Sequence, residues 1–231
     1  MGLYNLEMLR KDPFVTGEYY HLYNRGIDKR IIFKSTSDYE RFLMLLHTAN
    51  TKDSFRLDVI FSRGSKKFND ILFLDVGAPL VSIGAWCLMP NHFHLIVRQE
   101  VDGGITKFMK KAGTGYAMYF NNKYKRQGAL FGGPFKSRLV GVKDRYLKHL
   151  FGYIHLNPLE LRFPNWEEFI NKPRKDMTSF LNSYRYSSYQ EYIGQKRVEN
   201  TILSTKGFPN YFKNTKHFRD FIESYLSDRE V

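Results

Sequence analysis

Apolar positions recur along this chain in two periods, one of two residues and one close to 3.6. Tyr19-Tyr20-His21-Leu22-Tyr23-Asn24-Arg25-Gly26 is aromatic, partly alternating and closed by glycine, which predicts a strand ending in a turn. Tyr39, Phe42, Leu43, Leu46 and His47 then fall at helical spacing, with Ser37-Asp38 placed to cap the helix. Leu57 to Phe61 predicts a short strand. Residues 62–70, with Arg63, Lys66 and Lys67 among Gly and Ser, predict an exposed basic connection. A β-rich run from Leu80 to Cys87 leads into Met89-Pro90-Asn91, and His92 to Val97 alternates, so the two predict a hairpin. Ile105 to Tyr124 is helical in pattern, with Phe108, Ala112, Tyr116, Tyr119 and Phe120 inward and Lys107, Lys110 and Lys111 toward water. Phe135 to Val140 alternates apolar with basic residues as a strand, and Lys143 to Asn157 predicts a helix stopped by Pro158.

Strand, helix, hairpin, helix, strand, helix is the order of an α+β sandwich with a mostly antiparallel central sheet and helices packed on it. Residues 1–162 are expected to form that core, and 163–231 a C-terminal extension packed on it. The extension holds Tyr184-Arg185-Tyr186-Ser187-Ser188-Tyr189 and two weakly helical pieces, Ser188 to Ile193 and Lys216 to Leu226. Its aromatics suit core packing more than the stacking of unpaired bases, although both uses are open.

Charge changes the picture more than overall composition does. Thirty-six Lys and Arg against 23 Asp and Glu leave a formal +13, the footprint of a phosphate-rich partner, although ribosomal and membrane-surface proteins share it. A single cysteine, Cys87, excludes a disulfide within the chain and every Cys-based zinc ribbon, and it fits a reducing, cytoplasmic setting. Glu7, Arg10, Lys11 and Asp12 break up the first residues, so no signal peptide is expected there. No stretch approaches the roughly eighteen apolar residues of a membrane span.

Two constellations carry candidate chemistry. His92-Phe93-His94 sets two imidazoles at i and i+2, on one face of a strand. Such a pair either chelates a divalent metal or is simply satisfied by hydrogen bonds. In the helix before Pro158, Leu147, Leu150, Phe151 and Ile154 form one apolar stripe, and Tyr153 and Asn157 share a side about 100° away from it. A phenol and a carboxamide so placed can reach over a sheet edge, the amide oxygen as a ligand and the phenol as a nucleophile. Tyrosine suits strand transfer, because a phosphotyrosine link preserves the phosphodiester bond energy instead of losing it to water. Sixteen tyrosines are present, however, and most must be packing or surface groups.

Cys87-Leu88-Met89-Pro90-Asn91-His92-Phe93-His94-Leu95, followed by Tyr153-Ile154-His155-Leu156-Asn157-Pro158, closely resembles the single-tyrosine HUH transposases, especially the REP-associated tyrosine transposases. The blocks Tyr20 to Gly26, Tyr119-Phe120-Asn121, Phe135-Lys136-Ser137 and Tyr186-Ser187-Ser188-Tyr189 extend the resemblance over most of the chain, in family order. It implies a ferredoxin-like core and a Mg²⁺ or Mn²⁺ ion held by His92, His94 and, as third ligand, Asn157. It further implies cleavage of single-stranded DNA beside a hairpin, with Tyr153 left joined to the 5′-phosphate and a 3′-OH released. Insertion-sequence members work as dimers and REP-associated ones as monomers, so either a monomer or a homodimer is compatible. Arg25, Lys29, Arg30, Lys107, Lys110, Lys136 and Arg138 are the expected phosphate contacts, each equally readable as a solvated face. A domesticated, non-catalytic hairpin-binding protein and an RNA-acting metalloprotein are the competing functions.

Overall fold

In the computed structural model, which describes residues 13–227 apart from 54, 56, 63, 65, 66, 141–143 and 169–172, the alternating segments become one four-stranded sheet. The strands are β1 (Tyr19–Arg25), β2 (Val81–Met89), β3 (His92–Gln99) and β4 (Lys136–Val140). They lie in the order β2-β3-β1-β4, every neighbouring pair antiparallel, with Tyr23 opposite His94 and also opposite Lys136. With α1 (Thr36–Thr48) between β1 and β2, and α4 (Gly104–Lys123) between β3 and β4, this is the ferredoxin-like arrangement. Two short helices, α2 (Leu57–Ser62) and α3 (Phe68–Leu72), stand between α1 and β2.

The pleat separates two cores. Leu22, Trp86, Leu88, Phe93, Leu95 and Val97 face α1 and α4, where Phe42, Leu46, Phe108, Ala112, Tyr116 and Phe120 close over them. Ala85, Cys87, Met89, Ile96 and Val140 face the other way, against Leu147, Leu150, Phe151 and Ile154 of α5 (Asp144–Leu156). The helical stripe read from the sequence is therefore the seam that lays α5 on the sheet. At Asn157 the chain tightens into a 3₁₀ turn, Asn157–Leu161, that takes in Pro158.

Several expectations need correction. Residues 57–61 are helical: Leu57, Ile60 and Phe61 fall at i, i+3 and i+4, and all three pack on one core. The cap of α1 is Ser35 rather than Ser37, because Asp38 at the third helical position accepts the Ser35 N–H at 3.0 Å in a capping box. Lys67 is exposed as expected, but residues 68–72 form α3; Arg63, Lys66, Lys143 and residues 1–12 lie outside the described residues.

After α5 come α6 (Arg174–Ser183), α7 (Tyr189–Tyr192) and α8 (Thr215–Ser227). The tail covers the outer edge of β2, where Leu88 N–H donates to Tyr186 O and Ser188 N–H to Trp86 O, both at 2.9 Å. Its aromatic rings are used in packing: Tyr186 stacks on Tyr39, Tyr189 is fully buried, and the Tyr184 hydroxyl donates to Leu88 O at 2.7 Å.

Candidate functional site

Because residues directly opposite in an antiparallel pair share a face, the register joins residues that are far apart in sequence. His21, Tyr23 and Arg25 of β1, His92 and His94 of β3, and Lys136 and Arg138 of β4 all lie on the α5 side of the sheet. Tyr153, off the buried stripe and 48% exposed, stands over them. Its ring is edge-on to His94 at 5.6 Å between centroids and edge-on to His21 at 6.0 Å. The two histidines of the pair are 5.0 Å apart with perpendicular rings. Asn157 donates from its amide nitrogen to the Tyr153 carbonyl at 2.8 Å, and its side chain reaches the His92 ring.

His92, His94, Tyr153 and Asn157 line a cleft of about 840 Å³ whose walls carry Arg25, Lys29 and Lys136 together with Asp28, Glu160 and Glu167. Arg138 sits next to it, opposite His21, with its guanidinium 4.8 Å from the Tyr146 ring centroid. Arg30 turns back on its own loop, donating to Ile27 O at 3.3 Å. Lys107 and Lys110 are on α4, across the sheet, where Lys110 lines a separate cavity of about 550 Å³ with Arg41 and Lys111. The expected basic set is thus divided between two sides of the molecule.

Burial controls the charge state of the imidazoles. It pushes His92 down to about 4, helped by Arg25, and His21 down to about 4, helped by Arg138. His94, more deeply enclosed and beside the other two rings, is held well below the usual histidine range. All three are therefore neutral near pH 7, the form whose nitrogen lone pairs can bind a cation. Among the described residues, no three His, Cys, Asp or Glu side chains gather as a metal site, and the side chain beside the pair with a free donor oxygen is the Asn157 amide. Two imidazoles and a carboxamide are ordinary donors for a divalent ion, and the residues fit one.

Sequence reasoning gave no role to His21 and Asn91, which contact the histidine pair, or to Tyr225, which lines the cleft. His21 shares the two-residue period of Tyr23 and Arg25, but nothing local in the sequence indicates that β1 would lie beside β3. Tyr225 comes from α8, and its ring lies over Gly152, where a Cβ would sit 2.8 Å from it.

Residues 54–157 match the family model described as "Transposase IS200 like". The matched span runs through β2, β3, α4, β4 and α5 and includes His92, His94, Tyr153 and Asn157; β1 and the tail lie outside it. No curated protein matches the chain. A solved structure described as "Structure of the REP associates tyrosine transposase bound to a REP hairpin" aligns at 11% identity with a TM-score of 0.49, over 82% of this chain and 88% of that one. The segment that carries the histidine pair and the cleft tyrosine is similar to the IS200-like transposases.

Proposed function

We propose that this protein is a single-strand DNA endonuclease and strand transferase, with Tyr153 as nucleophile and a Mg²⁺ or Mn²⁺ ion held by His92, His94 and Asn157. The observation that carries the proposal is the convergence of Tyr153 with the neutral histidine pair in one cleft. A DNA strand seated there meets Arg25, Lys29 and Lys136, whose charges hold its phosphates in register without reading bases. Tyr153 is exposed enough to meet a phosphodiester. Its oxygen bonds to phosphorus as the bond from phosphorus to the 3′-oxygen breaks; the phenolic proton passes to water and the departing 3′-oxygen takes one from water, so the exchange is proton-neutral. The bound ion would supply Lewis-acid polarisation of the scissile phosphate. Two imidazoles and an amide bring no negative charge, so affinity for the ion is expected to rise when the phosphate arrives. Reversal of the same step with a new 3′-OH rejoins strands without a nucleotide cofactor.

The substrate we assign is single-stranded DNA beside a hairpin. Either a monomer or a homodimer is compatible with this reading. Among the described residues, no helix is long and apolar enough to cross a membrane. The test is incubation with Mn²⁺ and labelled hairpin DNA from the flanks of the protein's own gene, followed by a denaturing gel. Wild type should yield a covalent adduct and Tyr153→Phe none, while His92→Ala should bind the DNA without cleaving it. An adduct persisting in Tyr153→Phe would overturn the nucleophile assignment, and equal affinity for the RNA hairpin would favour an RNA-acting protein.

A further inference from the structure

Each histidine of the pair is held at Nδ1 by a different neighbour. His92 Nδ1 lies 2.6 Å from Asn91 Oδ1, while Asn91 Nδ2 donates to the Lys29 carbonyl at 3.2 Å. A carbonyl oxygen only accepts, so the amide nitrogen is committed to Lys29 and the amide oxygen faces His92. That oxygen also only accepts, so a neutral His92 bonded to it carries its proton on Nδ1 and keeps Nε2 as a lone pair toward the Asn157 amide oxygen, a second acceptor and the other proposed ligand.

His94 meets His21 in the same way, with His94 Nδ1 2.8 Å from His21 Nε2. One proton occupies this contact, and its two placements have opposite consequences. If His21 Nε2 carries it, a neutral His94 keeps its own proton on Nε2 and offers no lone pair to the cleft. If His94 Nδ1 carries it, Nε2 is free and His21 moves its own proton to Nδ1. Only the second arrangement is compatible with a ligand at Nε2.

We infer that Asn91 and His21 are positioning residues for the histidine pair, each accepting an Nδ1–H bond so that both Nε2 lone pairs point into the cleft. The inference rests on the metal-binding reading of His92 and His94. The surrounding framework supports it. The turn carrying Asn91 is clamped by Gly26 N–H on Asn91 O at 2.8 Å, and by Ile32 and Phe33 N–H groups on Pro90 O at 2.8 and 3.0 Å. Lys29, whose carbonyl receives Asn91, is held with Asp28 in the left-handed region at φ 57° and 53°, a conformation that persists only where neighbouring contacts enforce it. His21 is buried against Tyr23 and His94, with ring centroids 5.0 Å away in each case, so its imidazole has little freedom to turn.

The experiment is Mn²⁺ titration of the full chain without DNA, by calorimetry, with variants that separate shape from hydrogen bonding. Asn91→Leu and His21→Phe fill similar volume with no acceptor, and each is expected to weaken Mn²⁺ binding by about ten- to a hundredfold. Asn91→Asp and His21→Gln keep an acceptor oxygen near the same place, the aspartate without the bond to the Lys29 carbonyl, and should bind Mn²⁺ more tightly than Asn91→Leu and His21→Phe do. A purely structural role would not split the variants this way. The inference is overturned if Asn91→Leu and His21→Phe bind Mn²⁺ as tightly as wild type, or if Asn91→Asp and His21→Gln lose as much affinity as they do. Should His21→Phe fail to fold, the Asn91 pair decides. His92→Ala separates the two levels: unimpaired Mn²⁺ binding there removes the metal reading and this inference together, whereas loss there with no effect at Asn91 or His21 removes the inference alone.

Discussion

At Gly26 the chain leaves β1 for the loop that walls the cleft, and there is no room for a side chain. A Cβ there would collide with the Arg30 carbonyl oxygen and approach the Ile32 side chain to 2.8 Å. Gly26→Ala is expected to cost about 1–3 kcal/mol, read as a lowered urea midpoint at unchanged slope. Asp38 is a second residue whose surroundings dictate its behaviour. Its side chain is fully enclosed, yet it takes hydrogen bonds from Lys123 at 2.6 Å, the Tyr124 hydroxyl at 2.7 Å and the Lys34 N–H at 2.8 Å. Burial alone would raise this carboxyl; the donors, Lys123 foremost, outweigh burial and hold it below the usual range. A lowered folded pKa contributes stability that is present above the ordinary carboxylate value and is lost as pH falls through the folded one. Asp38→Asn should therefore destabilise the protein by about 1–3 kcal/mol near neutrality, and thermal melts in acid below the carboxylate range should show that difference shrinking. An unchanged difference in acid would exclude the ionised Asp38 as its source.

Among elements, α5 matters most to the proposed chemistry, because it buries one face and offers Tyr153 from another. Its stripe is legible in the sequence, since a run with 3.6-residue spacing has only one way to hide its apolar side. The locking of α5 to the sheet edge is not legible. His155 is fully buried with Nε2 2.7 Å from Ser188 Oγ, and that hydroxyl oxygen also accepts the Trp86 N–H at 2.9 Å. Ser188→Ala would leave a buried N–H and an imidazole nitrogen without that partner, at an expected cost of about 2 kcal/mol by chemical denaturation. A neutral Ser188→Ala would mean that the tail holds α5 by packing alone. Beside α3, which fell in a segment read as a connection, α2 and α6 escaped the sequence for physical reasons. In α2 the apolar residues are too few for strand and helix periods to differ, and α6 buries only Met177 and Leu181 on an otherwise polar surface.

For the whole molecule, the cations expected to meet phosphate fall on both sides of the sheet. Arg25, Lys29 and Lys136 face the cleft, while Lys107 and Lys110 face away from it on α4. Binding of single-stranded DNA in the cleft predicts that neutralising Arg25 or Lys136 lowers the slope of log affinity against log salt by about 0.7 for each phosphate no longer neutralised. Lys107→Gln and Lys110→Gln should leave the slope unchanged in fluorescence anisotropy titrations. An equal decrease from the α4 variants would put the strand on both faces. The sequence by itself determined what depends on a residue and its own element: the two periods, the paired faces of His92 with His94 and of Tyr153 with Asn157, and the basic excess. Those follow from side-chain direction along a single strand or helix, which needs no partner. Only the tertiary structure decided that β1 lies between β3 and β4, so that His21 meets His94 and Lys136 stands beside Tyr23, that α5 covers the same face, and that the lysines of α4 do not. Strand neighbours and layer sides are set by long-range packing of one apolar face against another, and no local window of the chain contains both faces.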